Sequence, residues 1–425
     1  MGKTLEPTYV PKPPEDSGLL IEQPEIQTLQ PILNHLRNDW KSYPFRDEDK
    51  TSIIMKASLS LEATKKDLLT ESVDETAIPI RYLDKEFNDA VDAIRHIPDI
   101  VNYQSRILQD QSLSSQLEFG LTWKGRVLIL TPWNSPMLSQ LFLPCLSYFL
   151  GNVTILKPSS RARYNSVVLE QLLNSDINVK KTPHRRLFLI LASSEDLLHV
   201  VDDEWLDYVY FMGSRSHGIE WRAKFHGSFF GEYEGNNIGI VNDYSNSDLE
   251  VIMRSFLDKN GYDCDCLRGL FVKKSCYEGL VQDLKKRFEN LSVGDPHLYS
   301  SELSAKYPEA KLLLEPDTRQ IIVPHLGPSL WVSPYTEDSD LREKLVHFFG
   351  QSKFGLSVMI LSDKDPNAWV EYLKRISFIT RFWINLPLSD FTPYLPWGGR
   401  GHTSDFGAIS WVQKFSDVIV VKRGK

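Results

Sequence analysis

Val127-Leu128-Ile129-Leu130 runs straight into Thr131-Pro132-Trp133-Asn134-Ser135-Pro136. Four apolar residues in succession, stopped by a proline-flanked turn, read as a strand buried on both faces of a sheet. A helical stretch over about 137–150 follows, closed by Gly151-Asn152, and then a second apolar run, Val153-Thr154-Ile155-Leu156. The rhythm continues with a helix over 164–173, the strand Leu187-Phe188-Leu189-Ile190, a short helix over 194–200 and the strand Tyr208-Val209-Tyr210-Phe211. Strands alternating with helices at this interval predict βαβ units around a parallel sheet. Doubly wound sheets of that kind bind nucleotides at the carboxyl ends of their strands.

Downstream, a second α/β series is expected: a helix over 249–258, a loop at 260–266, the strand Leu270-Phe271-Val272, a helix over 276–291, an irregular stretch over 292–330, a helix over 339–349 and the strand Val358-Met359-Ile360-Leu361. The chain closes on the apolar run Val418-Ile419-Val420-Val421. Upstream, from about 31 to 108, Leu33, Leu36, Trp40, Leu59, Leu61, Leu68 and Leu69 recur near helical spacing and predict a helical scaffold. Before it, Pro7, Pro11, Pro13, Pro14 and Pro24 among polar residues read as an extended or disordered arm.

The 425 residues, 42% hydrophobic and 24% charged, are an ordinary globular composition for two or three domains. A net charge of −8 argues against an electrostatic nucleic-acid binder. No run approaches the roughly 18 apolar residues of a membrane span, and the start has no apolar h-region. The four cysteines, Cys145, Cys264, Cys266 and Cys276, make no disulfide framework, which predicts a reducing, cytoplasmic compartment. Cys264-Asp265-Cys266 is not the spacing of a zinc site, so no metal is expected.

The residues after the buried strands carry more. Thr131–Pro136, Lys157-Pro158-Ser159, Phe211-Met212-Gly213-Ser214 with Gly218, Glu232-Tyr233-Glu234-Gly235-Asn236-Asn237, Gly261-Tyr262-Asp263-Cys264, Ser352-Lys353-Phe354-Gly355-Leu356-Ser357, Trp383-Ile384-Asn385 and Pro396-Trp397-Gly398-Gly399 stand in this order along the chain. Together, over about 30–425, they resemble the aldehyde dehydrogenase superfamily. The resemblance implies an aldehyde-dehydrogenase-like α/β fold: two doubly wound α/β domains with a small oligomerisation element. It divides the chain into a dinucleotide-binding domain (1–104 and 124–233), a catalytic domain (234–405) and a bridging element (105–123 and 406–425). It implies a homodimer or homotetramer acting on a small-molecule aldehyde, without nucleic acid or membrane. An exposed apolar strand such as Val418–Val421 would be a liability unpaired, in keeping with a partner subunit.

The resemblance also assigns roles. Cys264 matches the nucleophile, whose thiolate attacks the carbonyl. Asn134 matches the side-chain donor to the oxyanion, with the Cys264 backbone N–H as the second donor. Glu232 matches the general base that activates the hydrolytic water. Read without the family, Cys264 is equally a small buried hydrophobe, Asn134 a turn residue and Glu232 a solvated carboxylate. The cofactor, NAD or NADP, would be held by Trp133, Lys157, Ser160, Gly213, Ser214 and Gly218. Lys157 would meet the adenosine ribose, and Gly213 to Gly218 would lead a helix towards the pyrophosphate. Ser160 replaces the family's glutamate; with Arg161 and Arg163 following, that change would tolerate a 2′-phosphate.

Other departures are Glu234, where the family has glycine, and Pro324 and Leu326, where it has a glutamate and an aromatic residue. These leave open two other readings: a catalytically degenerate homologue used as a binding module, and an acyl-thioester reductase on the same scaffold. His325 reads as structural. Tyr262, Leu267, Trp383, Trp397 and Phe406 are expected to flank an apolar or aromatic substrate pocket.

Overall fold

The computed structural model describes residues 47–110, 117–174, 187–201, 204–317, 321, 327–362, 365–388, 390–405 and 408–422. The extended arm, the first part of the helical scaffold, and the expectations placed on Pro324, His325, Leu326 and Phe406 lie outside them. Four helices open the described chain, Asp47–Ala63, Lys65–Thr76, Ile80–Arg95 and Ile97–Asp110. The last runs across residue 104, where the first domain was expected to break off. Strand β1 (Leu117–Trp123) leads into the first sheet, β2 (Arg126–Leu130), β3 (Val153–Lys157), β4 (Leu187–Leu189), β5 (Tyr208–Met212) and β6 (Ser228–Glu232).

These five strands are all parallel, in the order β4-β3-β2-β5-β6. The chain builds outward from β2 on one side and then returns to build on the other, so the topological switch lies between β2 and β5. The apolar run at 127–130 works as the sequence predicts. Successive side chains point to opposite faces. Val127 and Ile129 enter the core shared with the N-terminal helices, while Leu128 and Leu130 enter a second core with Trp205, Trp221 and Phe225.

The second sheet repeats the plan. Its strands are β7 (Asn237–Val241) and β8 (Leu267–Lys273), then, after the two-residue pair β9 (Val293–Gly294) and β10 (Leu303–Ser304), β11 (Lys311–Leu314) and β12 (Ser329–Tyr335). After β13 (Phe354–Gly355) come β14 (Ser357–Leu361) and β15 (Arg381–Ile384). The six larger strands are parallel in the order β11-β12-β8-β7-β14-β15. Ile238 and Ile240 face one core with Val358 and Ile360; Met359 and Leu361 face the other. The α/β architecture with two parallel, doubly wound sheets is therefore the one expected. The stretch over 292–330 is less irregular than its composition indicates, because β11 and the start of β12 extend the sheet there. Strands β6 and β7 lie where the sequence offered only a motif.

The C-terminal segment divides. A short helix, Trp411–Phe415, buries Trp411, Val412 and Phe415 in the first core. After β16 (Arg400–Gly401), which pairs with β13, the last strand β17 (Ser416–Lys422) pairs antiparallel with β1 along its whole length. That ribbon leaves Val418 to Val421 41–55% exposed. Among the described residues no helix is long and apolar enough to cross a membrane.

Close backbone approach sets the interior of the second sheet. A Cβ on Gly269 would stand 1.8 Å from the ring of buried Trp331. Gly269→Ala should therefore destabilise the protein by about 1–3 kcal/mol through overpacking. A urea titration followed by near-UV circular dichroism checks this; an unchanged midpoint would contradict it.

Candidate active site

A cleft of about 1750 Å³ lies at the carboxyl ends of the first-sheet strands and faces the second sheet. Trp133, Asn134, Lys157, Ser160, Gly213, Ser214, Glu232 and Cys264 all line it, so eight of the nine residues expected in the site come together. Gly218 does not. It sits inside the helix Arg215–Lys224, where a Cβ would stand 2.3 Å from the ring of Tyr233. Its smallness serves helix packing, which corrects the expectation that it contacts a cofactor.

Cys264 sits on the loop between the short 3₁₀ turn Asp258–Gly261 and β8. Two features of the preceding motif pin this loop. Asn237 Nδ2 donates to the carbonyls of Cys264 (2.8 Å) and Cys266 (3.0 Å). Gly235 lies so close that a Cβ there would stand 2.2 Å from the Cys264 carbonyl oxygen. From the first sheet, Asn134 Nδ2 donates to the Tyr262 carbonyl at 2.7 Å. An amide nitrogen carries two hydrogens. One therefore anchors the Cys264 loop and the other is left for an oxygen in the cleft.

The thiol is partly accessible, and burial together with the flanking Asp263 and Asp265 carboxylates pushes it well above the ordinary cysteine range. Cations oppose this. Lys259, buried with an ion pair to Asp263 and 3.5 Å from Glu86, favours the thiolate, as does Arg381, 3.0 Å from Asp265. Ser357 Oγ also donates to Asp265 at 2.7 Å.

Glu232 closes β6 and is only 5% exposed. Its Oε2 accepts from the Tyr210 hydroxyl at 2.6 Å, and its Oε1 pairs with Lys414. The Lys414 side chain is fully buried, its Nζ 4.0 Å from the Trp411 ring centroid. Burial pulls the Lys414 ammonium down, and Glu232 counteracts this. Glu232 is thus neither a solvated surface carboxylate nor an unattached base. Neither Lys414 nor Tyr210 is visible as a site residue in the sequence. The one available signal is a basic residue set among the apolar Trp411, Val412 and Phe415.

At the other end of the cleft, buried Lys157 donates to Ser194 Oγ at 2.7 Å, and burial with the Arg163 charge lowers it to about 8. Arg161 is half-buried. It stacks 3.9 Å over the Trp133 ring and donates to the Tyr307 hydroxyl at 2.7 Å. Tyr262 completes this wall, 5.1 Å from Trp133 and 5.4 Å from Tyr307. Glu234 reaches back to the start of the helix after β5, where both carboxylate oxygens accept from the Arg215 N–H at 3.1–3.2 Å. Burial raises Glu234, opposed by its own and the Arg215 backbone N–H. Of the expected substrate-pocket aromatics, Tyr262 and Trp397 line the cleft. Leu267 and Trp383 instead pack in the core of the second sheet.

The fold and this grouping of cysteine, asparagine and glutamate define a two-sheet α/β protein with a thiol at the cleft between its sheets. Residues 34–311 match the model of the aldehyde dehydrogenase family, and the chain belongs to that family. It is 20% identical over 428 residues to a D-glyceraldehyde dehydrogenase (NADP(+)) of Thermoplasma acidophilum, covering 89% of this chain and 85% of that protein. It is 24% identical over 230 residues to a Dictyostelium discoideum homolog of aldehyde dehydrogenase family 7 member A1, covering 50% of this chain and 44% of that one. Together with succinate-semialdehyde dehydrogenase relatives matched over 36% of their length, this means the chain spans less than half of several curated relatives. In structure it superposes on succinic semialdehyde dehydrogenase from Streptococcus pyogenes with a TM-score of 0.81 at 16% identity, covering 95% of this chain and 96% of that one.

Two outcomes follow from the electrostatics. Lys414→Met strands a buried carboxylate and should cost about 3–5 kcal/mol in denaturant titration. Adding Glu232→Gln should recover most of that loss; a neutral single variant would contradict the pairing. Asp263→Asn removes a negative charge beside the thiol and leaves Lys259 facing Glu86, so the Cys264 pKa falls. Alkylation by iodoacetamide at neutral pH should then rise about tenfold for each unit of that fall. An unchanged or slower rate would contradict it.

Proposed function

We propose that this chain oxidises an aldehyde to a carboxylate through Cys264, with NAD or NADP as the hydride acceptor. One observation carries the reading: Cys264, Asn134 and Glu232 come from three separate segments and meet in one cleft beside the switch point of a nucleotide-type sheet. The names of relatives that act on glyceraldehyde or succinic semialdehyde with NADP support the reaction class.

The cleft fits a dinucleotide at its nucleoside end. Lys157 and Ser160 line the end of β3, and Gly213 leaves no room for a Cβ beside the Phe211 ring, 3.0 Å away. When bound there, the dinucleotide supplies the oxidant that takes up hydride. The chain's own residues do the rest. The Cys264 thiol gives its proton to solvent water, and its sulfur bonds to the carbonyl carbon as the C=O π pair moves onto the oxygen. The free N–H of Asn134 meets the oxygen as negative charge grows on it. Once a thioester stands on Cys264, Glu232 takes a proton from the water that attacks it, releasing carboxylate and restoring the thiol. Lys414 and Tyr210 hold the Glu232 carboxylate in place. A carboxylate has about four lone-pair positions, so both contacts leave room for a water.

We read the first sheet with its helices as the dinucleotide-binding unit, the second sheet as the catalytic unit, and the β1–β17 ribbon as the contact with a second copy. The raised thiol and the paired Glu232 are what a catalytically silent binding module would also show, and this is the second reading.

Purified protein with NAD or NADP and a panel of aliphatic and aromatic aldehydes should yield reduced-nicotinamide absorbance that Cys264→Ala abolishes. Asn134→Ala should lower kcat by about 10²–10³. Dinucleotide binding without turnover across the panel would favour the binding module; turnover only on an acyl thioester would favour a reductase.

A further inference from the structure

We propose that Glu234 is a built-in anion occupying the phosphate cradle at the start of helix Arg215–Lys224, and that a nucleoside diphosphate seats there only after this carboxylate is displaced. The inference rests on the nucleotide reading of the cleft and deepens it. The first turn of a helix offers unpaired N–H groups and the positive end of the helix dipole, a natural place for phosphate. This helix follows β5 at the switch point, where the sheet topology directs a nucleotide's phosphates.

The place is already filled by the chain. Both oxygens of Glu234 accept from the Arg215 N–H, and Glu234, Gly213, Ser214, Ser216 and His217 line the same cleft. The N-cap Ser214 makes no capping hydrogen bond with its side chain; its hydroxyl lies 2.9 Å from His217 Nδ1 and 3.3 Å from Ser216 Oγ. Glu234 therefore takes the capping role that a ligand's phosphate would take. A pyrophosphate arriving there meets both a blocked donor and a like charge. A neutral nucleoside meets neither, because its contacts lie towards Lys157 and Ser160 at the end of β3. Glu234 thus weakens binding of the anionic part of the ligand and leaves the nucleoside part untouched. The backbone before it is fixed by Gly231 and Tyr233, whose hydroxyl lies 3.3 Å from Asp405 Oδ2, so release requires the side chain to swing rather than the strand to move.

Calorimetric titration of the full chain with ADP and with adenosine tests this in the wild type, Glu234→Gln and Glu234→Gly. Removing one like charge at a partly buried helix terminus should tighten ADP by about tenfold and leave adenosine within about twofold. If Glu234→Gly fails to fold, Glu234→Gln carries the test, since its amide oxygen still accepts from Arg215. Adenosine bound by all three with ADP no tighter in the variants overturns the role of Glu234 and leaves the nucleotide cleft standing. Tightening of both ligands alike also overturns it. Failure of every folded variant to bind either ligand overturns this proposal and the nucleotide reading together.

Discussion

The pairing of Glu232 with Lys414 and Tyr210 ties the molecule together. Two opposite charges this deeply buried are costly to desolvate and hold only when each is met by the other and by further hydrogen bonds. Here the carboxylate ends a strand of the first sheet, the hydroxyl comes from the neighbouring strand and the ammonium from the C-terminal helix. The pair therefore fixes where the chain's last helix docks. That docking places Trp411 and Phe415 in the first core and starts β17 on its course alongside β1. The same contacts hold the Glu232 carboxylate at the lining of the cleft.

Electrostatics across the cleft then divide the labour. Cys264 is set among Asp263, Asp265, Lys259 and Arg381, so its thiolate is formed against two neighbouring carboxylates and with the help of two cations. Glu232 meets one buried cation, Lys414, and the Tyr210 hydroxyl. Trp133, Tyr262 and Tyr307, bridged by Arg161, form an aromatic wall of the cleft.

Much of this was legible in the chain. Doubly buried strands show themselves as unbroken apolar runs, 127–130 and 358–361, and motifs next to such strands line one cleft. What escaped reading had physical reasons. Gly218 looked like a phosphate-loop glycine because composition cannot separate room for a ligand from room for a ring, and here Tyr233 fills the space. Lys414 and Tyr210 sit far from Glu232 in sequence, and only the tertiary fold joins them. Strands β11 and β12 escape the sequence reading because they are set by pairing, β11 on β12 and β12 on the distant β8, and not by a local apolar run. The unusual Glu234 was noticed in the sequence, but its hold on Arg215 appears only in three dimensions.

The central claim is that Cys264 forms an acyl-thioester which Glu232-activated water resolves. The most direct measurement is stopped-flow release of p-nitrophenolate from p-nitrophenyl acetate, with mass spectrometry of the protein, because it needs no dinucleotide. The account predicts a burst stoichiometric with the enzyme, acetylation at Cys264, and continuing turnover that Glu232→Gln abolishes while the burst survives. Acetylation at another residue, or turnover indifferent to Glu232, would contradict it.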